Sequence, residues 1–161
     1  MASHPPITDI RGLLTFRLAM LVAANDRVGQ SWLLSRYGLR IQEWRTLGLV
    51  AASEPVRFKD VARALLLDKG QLSRLVKALT GRGLLEGRAD EADQRTLLLT
   101  VTAEGRRLHD QALAEALRRN NLIAGALTAE EAATLFRLLD KLQPFMDHRV
   151  EEAERERAGP D

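Results

Sequence analysis

Apolar side chains recur at helical spacing along most of the chain, and glycine or proline marks the ends of several runs. The pattern predicts six helices, over about 7–36, 41–52, 59–66, 68–82, 103–124 and from 129 onward. Three of these have a residue suited to cap the first turn, namely Asp68, Thr102 and Thr128, the last with Glu131 in a capping box. Pro144 falls inside the last run, so a kink or a break is expected near Asp140, whose carbonyl loses its helical donor.

The helix predicted over 68–82 has two chemically different sides. Its inner stripe consists of apolar residues spaced i, i+3, i+4 and i+7, namely Leu72, Leu75, Val76 and Leu79. Its outer side has no acidic residue and carries the polar groups of Gln71, Ser73, Arg74 and Lys77. Such amide, hydroxyl, guanidinium and ammonium groups are the donors that contact guanine, adenine and phosphate in DNA.

After Gly83 the sequence changes from a helical pattern to one rich in strand formers. Residues 84–88 and 96–102 predict two strands around a polar tip, which together make a β-hairpin. Arg88 and Arg95 lie near its ends, and Asp93 stands two residues before Arg95, close enough to orient its guanidinium. A helix, a turn, a second helix and a charged hairpin form a winged helix-turn-helix. In that unit the second helix enters the major groove and the hairpin follows the DNA backbone into the minor groove.

Charge is distributed unevenly along the 161 residues. The chain has 24 Lys and Arg against 22 Asp and Glu, a net charge of +2. The segment 57–107 holds 11 basic and 7 acidic residues, an excess of +4, while the remainder has 13 and 15. A solvated charged surface is the common meaning of such an excess. Together with the donor-rich helix it indicates a polyanion as partner.

Several classes of protein are excluded by what the sequence lacks. With no cysteine, the chain has no disulfide, thiolate metal site or thiol switch, which favours a reducing, cytoplasmic setting. The longest apolar run, 18–24, is far shorter than the roughly 20 residues of a membrane span, and residues 1–6 do not resemble a signal peptide. No catalytic constellation is present, and His4, His109 and His148 lack metal-ligand spacing. We therefore expect no enzyme, metal or cofactor.

The last predicted helix carries more large apolar residues than a solvated helix needs, namely Leu135, Leu138, Leu139, Leu142, Phe145, Met146 and Val150. Two arrangements would cover them: the helix folds back on its own chain, or it packs against a partner subunit.

Six short motifs follow one another in a fixed order: 39–47, 60–62, 72–79, Gly83-Leu84-Leu85, Asp93-Gln94-Arg95 and Val101–Gly105. Together they resemble the MarR family of bacterial transcription regulators, from about Leu13 to Met146. The resemblance implies a homodimer whose chain ends interlock and whose two winged lobes bind a pseudo-palindromic site on double-stranded DNA. Residues 1–36 and 103–161 would be dimerisation helices, and residues 37–102 the winged helix-turn-helix lobe.

The resemblance also implies which residues meet DNA. The matching recognition-helix positions are Lys69, Gln71, Ser73, Arg74 and Lys77. On the wing, Arg95 would enter the minor groove with Asp93 bracing it, and Arg88 and Gln94 lie beside them.

The chain departs from the family pattern in two places. Arg57 stands where a Ser or Thr usually caps the helix before the recognition helix. Gly81 weakens the recognition helix by roughly 1 kcal/mol relative to alanine. Both departures suggest a winged lobe that is less rigid than average and becomes ordered when it binds DNA.

The resulting hypothesis is a sequence-specific DNA-binding repressor that a small-molecule effector releases. The alternative is a winged-helix architectural or protein-interaction factor without a ligand. Because members of the family often bind aromatic carboxylates, the candidate pocket combines Arg17 as the cation with Tyr37 and Trp44 as aromatic walls. Pairing of Arg17 with an acid across the dimer is the competing interpretation. Sensing by cysteine oxidation, used by one branch of the family, is excluded.

Overall fold

A computed structural model of the chain describes residues 7–158, except for the side chains at positions 154, 157 and 158. Residues 1–6, which include His4 and the segment considered as a signal peptide, and residues 159–161 lie outside the described residues. The described helices are a 3-10 turn (Ile10–Gly12), α1 (Leu14–Tyr37), α2 (Ile41–Ser53), α3 (Phe58–Ala64), α4 (Lys69–Gly81), α5 (Ala103–Ala124) and α6 (Ala129–Ala158). The strands are β1 (Val56–Arg57), β2 (Leu85–Ala89) and β3 (Leu97–Val101). The predicted class, six helices with a small hairpin wing, is confirmed.

The first helix begins later than the sequence pattern predicts. Asp9 caps the 3-10 turn by accepting a hydrogen bond from the Arg11 amide at 2.8 Å, and Leu13 is extended, so α1 starts at Leu14 rather than at Ile7. From there α1 is unbroken for 24 residues, about 36 Å. It ends as predicted at Gly38, whose left-handed φ of 62° lets its amide turn back to the last carbonyls.

The predicted caps are confirmed. The Asp68 carboxylate accepts a hydrogen bond from the Gln71 amide at 2.7 Å, and the Thr102 hydroxyl accepts one from the Gly105 amide at 2.9 Å. Thr128 and Glu131 bond reciprocally, as a capping box requires. The prediction of a break near Asp140 is wrong, because α6 is helical through Pro144, whereas the alternative of a kink stays a prediction. The proline removes one main-chain hydrogen bond, and the helical turns on both sides hold the rest of the ladder.

The sheet has one strand more than the predicted hairpin. Its order is β1-β3-β2, all antiparallel, with Val56 opposite Leu99 and Leu85 opposite Val101. The two-residue strand β1 is too short to show a period of two, so sequence alone does not reveal it. The third helix is also shorter than predicted, since it ends at Ala64 and Leu66 takes a positive φ of 53° in the following turn.

The chain divides into two compact units, Met1–Leu113 and Ala114–Asp161. The core of the first unit joins α2, α3, α4 and the sheet, and its fully buried side chains include Leu47, Val61, Leu72, Leu79 and Leu99. This division places α1 and the first half of α5 with the lobe, whereas the sequence assigned 1–36 and 103–161 to dimerisation. That assignment stays a prediction.

No described helix combines the length and the apolar character needed to cross a bilayer. Among residues 7–158, no cluster of His, Asp and Glu side chains is arranged to hold a metal ion.

Candidate nucleic-acid interface

Helix α4 is anchored by one side and open to solvent on the other. Its inner residues Leu72, Val76 and Leu79 are buried in the core of the lobe. The five predicted recognition residues, Lys69, Gln71, Ser73, Arg74 and Lys77, are all exposed. At 100° per residue, Arg74 and Lys77 lie near the middle of this outer side, while Lys69 and Gln71 lie at its edges. A rigid helix therefore presents two long cations to a partner.

Gln71 differs from the other four because its side chain is engaged. Its Oε1 accepts a hydrogen bond from the Asp68 main-chain amide at 3.0 Å, while its own amide donates to Asp68 Oδ1. This reciprocal pair is a capping box. Glutamine contacts adenine through both its oxygen and its nitrogen, and here the oxygen is already bonded. Gln71 thus holds the start of α4, a role that the spacing from Asp68 signals and that the sequence interpretation missed.

The wing tip is organised by Asp93. Its Oδ1 accepts a hydrogen bond from the Arg95 amide at 3.0 Å, and its Oδ2 accepts one from the Thr96 hydroxyl at 2.8 Å. These two hydrogen bonds hold the pKa of the Asp93 carboxyl below its usual range, and the bond from the Thr96 hydroxyl has the larger effect. The charges of Lys59 and Arg57 lower the pKa by a smaller amount. The sequence interpretation is corrected in one respect, since Asp93 braces the main chain of Arg95 rather than its guanidinium. Asp93, Gln94 and Arg95 are all exposed, as is Arg88 on β2.

Arg82, Arg106 and Arg107 are among the basic residues of the segment 57–107 that are engaged within the protein. Arg82 donates from Nη1 to the Gly38 carbonyl at 2.9 Å and from Nη2 to the Tyr37 carbonyl at 3.2 Å. Arg106 bonds to the Ala51 carbonyl and to Glu54, and Arg107 bonds to Glu104. By contrast, no ion pair described for residues 7–158 involves Lys69, Arg74, Lys77, Arg88 or Arg95. The outward positive charge is therefore concentrated on α4 and the wing.

The structure separates Arg17 from its predicted aromatic walls. Arg17 lies near the start of α1, where its Nε donates to the Arg11 carbonyl at 2.9 Å, and Tyr37 lies at the other end. Twenty residues of unbroken helix put about 30 Å between them. Within one chain, the predicted pocket of Arg17, Tyr37 and Trp44 does not form, because α1 has no bend that would bring its ends together.

The two aromatic residues do come together, on the first half of α5. The Tyr37 hydroxyl donates to the Gln111 carbonyl at 3.2 Å. The Trp44 ring stacks on the His109 ring, with centroids 5.5 Å apart and an angle of 24° between the ring planes. His109 Nδ1 lies 2.9 Å from an Asp110 oxygen. These contacts tie the end of α1 and the start of α2 to α5.

The sequence is similar to those of known proteins. Residues 37–96 match the sequence model described as MarR family. The homoprotocatechuate degradative operon repressor of Escherichia coli is 26% identical over 120 residues, which are 74% of this chain and 81% of that protein.

Two solved structures share the fold. The PcaV transcriptional regulator of Streptomyces coelicolor, in complex with its natural ligand, superposes with a TM-score of 0.73 at 24% identity, covering 87% of this chain and 98% of that one. FabT of Streptococcus pneumoniae, in complex with DNA, superposes with a TM-score of 0.71 at 20% identity, covering 84% and 96%.

Proposed function

We propose that the chain is a transcription regulator of the MarR family, a repressor that binds a pseudo-palindromic operator as a homodimer. Because the family and the relatives are regulators, the expectation that the chain is not an enzyme is confirmed. The observation that carries the proposal is the outer side of α4, where Arg74 and Lys77 are exposed and unpaired among the described ion pairs. FabT, which shares the fold, was solved with DNA.

In the proposed complex α4 enters the major groove, which is wide enough for one helix. Arg74 and Lys77, in the middle of the outer side, would contact guanine edges, and Lys69 and Ser73 would contact phosphates or neighbouring bases. Arg95 at the wing tip would enter the adjacent minor groove, where a narrow groove attracts arginine. Gln94 and Arg88 would accompany it along the backbone.

Homodimer formation is supported by apolar side chains that one copy leaves in water. They lie on α1, on the end of α5 and on α6, and include Leu21, Val28, Leu122, Ile123, Phe136, Phe145 and Met146. Leu122 is 79% exposed and Phe145 63%. Large apolar side chains exposed in this number favour surfaces that a partner covers, and a second copy of the chain would cover them. In such a dimer two α4 helices would face half-sites about one DNA turn, roughly 34 Å, apart.

A small-molecule effector belongs to the same proposal. The E. coli relative is named as a repressor of a degradative operon, and PcaV was solved with its natural ligand. Arg17 is exposed on an otherwise apolar stretch of α1 and is suited to pair with the carboxylate of an aromatic acid. Since Tyr37 lies about 30 Å away along the helix, the apolar walls beside Arg17 would come from other residues.

The DNA-binding proposal is tested with duplexes selected by the protein from a random-sequence pool. Lys77→Glu and Arg95→Ala should each weaken binding at least tenfold at physiological salt, whereas Arg107→Gln, whose side chain bonds to Glu104, should bind as the wild type does. Full affinity in both interface variants would overturn the proposal. Binding without preference for the selected sequence would instead favour the architectural factor, and selection of no duplex at all would favour a protein-interaction factor.

The effector is tested by adding aromatic acids, starting with homoprotocatechuate, to the preformed DNA complex. If the wild type releases DNA at an acid concentration tenfold lower than Arg17→Ala requires, the result supports Arg17 as part of the effector site. Arg27→Ala, on the same helix, is the matched control. An identical response of Arg17→Ala and wild type removes Arg17 from the site, and no response to any acid removes this class of effector.

A further inference from the structure

The short strand β1 places Arg57 in the wing sheet. Arg57 pairs with Leu98 on β3, and Leu98 pairs with Arg88 on β2. Residues directly opposite one another on neighbouring antiparallel strands project from the same face of a sheet. The adjacent row of paired residues across the sheet consists of Val56, Leu99 and Gly87. Because Leu99 is fully buried, the side chains of that row face the core. Arg57 and Arg88 therefore share the outer face.

These two arginines lie close together and are open to solvent. Two strand spacings separate their main chains by about 9.6 Å. Both are exposed, and so is Lys59 in the first turn of α3. Along β2, Glu86 shares the outer face two residues before Arg88, further from the tip. The outer face of the wing thus carries two cations, Arg57 and Arg88, from segments about 30 residues apart in sequence, and Lys59 follows Arg57 in the first turn of α3.

Nothing described in the protein neutralises these cations by direct contact. No ion pair described for residues 7–158 involves Arg57, Lys59 or Arg88. The charge of the Asp93 carboxylate reaches Arg57 and Lys59, but its oxygens are bonded to the Arg95 amide and the Thr96 hydroxyl. Like charges that share no direct ion pair with a carboxylate repel one another, and a row of phosphates would relieve that repulsion.

We propose that Arg57, with Lys59 and Arg88, forms a phosphate-binding site on the outer face of the wing for the DNA backbone flanking the sequence that α4 contacts. The inference rests on the proposed function and extends the contact area beyond α4 and the wing tip. It concerns the N-cap position of α3, where the resemblance described above implies a Ser or Thr and this chain has Arg57. Its side chain makes no capping hydrogen bond to α3, which leaves the guanidinium available.

A phosphate contact has a measurable signature that differs from base recognition. Each phosphate neutralised on duplex DNA contributes about −0.9 to the slope of log Kobs against log salt concentration. Loss of one contact in each subunit of a dimer should therefore make the slope less steep by about 1.8. Sequence preference should not change, because phosphate contacts carry no base information.

The experiment measures binding of the full chain to a selected duplex by fluorescence anisotropy, between about 50 and 200 mM salt. Two duplexes are compared, one ending at the contacted sequence and one extended by about half a helical turn, roughly 5 base pairs, on each side. On the extended duplex Arg57→Gln should show the less steep slope, while Arg57→Lys and the control Arg107→Gln should match the wild type. On the short duplex Arg57→Gln and wild type should have equal slopes.

Equal slopes for Arg57→Gln and wild type on the extended duplex would overturn the inference. An equal loss on both duplexes would also overturn it, because the contact would then lie within the central sequence. If Arg57→Gln melts below the wild type, the same two-duplex comparison is made with Lys59→Gln, which replaces a cation that has no role in the proposed function. The proposed function fails separately, when the wild type itself shows no preference for the selected duplex over a random one of the same length.

Discussion

Gly105, in the first turn of α5, lies directly against the main chain of Leu84. A Cβ on Gly105 would overlap the Leu84 carbonyl oxygen and come within 2.8 Å of the carbonyl carbon. Beside it, the Thr102 amide donates to that oxygen at 3.2 Å, and the Thr102 hydroxyl donates to the Gly83 carbonyl at 2.6 Å. The motifs at 83–85 and 101–105 thus contact each other, and this contact attaches the start of α5 to the segment that follows α4.

Gly105→Ala should therefore destabilise the protein strongly. The added methyl group meets main chain, which cannot rotate away as a side chain could, so we expect a loss of about 3 kcal/mol in the free energy of unfolding. Chemical denaturation followed by circular dichroism measures it. Gly81→Ala is the matched control, because no atom beyond the local helix backbone and the neighbouring residues lies within 4 Å of the position that a Cβ would take there, and alanine should stabilise the helix by about 0.5–1 kcal/mol. Equal stability of Gly105→Ala and wild type would contradict this packing.

Arg82→Gln should lower stability without a direct loss of DNA contacts. The guanidinium binds the carbonyls at the C-terminal end of α1, where a cation also interacts favourably with the helix dipole. Because the Arg82 side chain is 37% exposed, we expect a loss of only about 1 kcal/mol in the free energy of unfolding.

Arg74→Gln, on the same helix, should give the opposite result to Arg82→Gln. It should leave the unfolding midpoint unchanged and weaken DNA binding at least tenfold. Parallel denaturation and anisotropy measurements compare the two variants. The assignment of Arg82 is wrong if its variant loses DNA affinity while keeping wild-type stability.

Gln71→Ala should weaken DNA binding evenly across sequences, because its side-chain oxygen bonds to the Asp68 amide and supports the start of α4. We expect a loss of about 1 kcal/mol in stability and an unchanged order of base preferences. Arg74→Ala should instead relax the preference at one base pair of each half-site, by about 1–3 kcal/mol. Competition binding with a set of single-base operator variants measures both. Relaxation at a single position in Gln71→Ala would show that Gln71 contacts a base.

The wing tip should loosen at acidic pH. Hydrogen bonds from the Thr96 hydroxyl and the Arg95 amide lower the pKa of Asp93 in the folded chain. Stabilisation by this carboxylate is therefore present above its unfolded pKa, about 3.9, and is lost as the pH falls through the lower folded value. Chemical shifts of the Arg95 and Thr96 amides, followed from about pH 6 to 2, should show a midpoint below about 3.9. Asp93→Asn should remove the transition, and a wild-type midpoint at or above that value would refute the contact.

Several elements were predictable because their causes lie within a few residues. The two sides of α4 follow from the spacing of Leu72, Val76 and Leu79, and the cap at Asp68 acts over three residues. Local sequence patterns do not reveal β1, because this two-residue strand is defined only by its pairing with β3. The apolar pattern also predicts the wrong start for α1, because a 3-10 turn capped by Asp9 stands where the pattern would allow α-helix.

The sequence by itself determined the helices, their caps, the solvent-facing donors of α4 and the absence of thiol chemistry. Only the tertiary structure decided which arginines are bonded within the protein: Arg82 bonds to Tyr37, 45 residues away, whereas Arg57 lies beside Arg88 on the outer face of the wing. It also decided that Arg17 and Tyr37 lie at opposite ends of one helix. The physical reason is the distance along the chain over which each interaction acts. Periodicity and capping act within about one helical turn, whereas the partner of a long charged side chain depends on where the folded chain brings distant carbonyls and carboxylates.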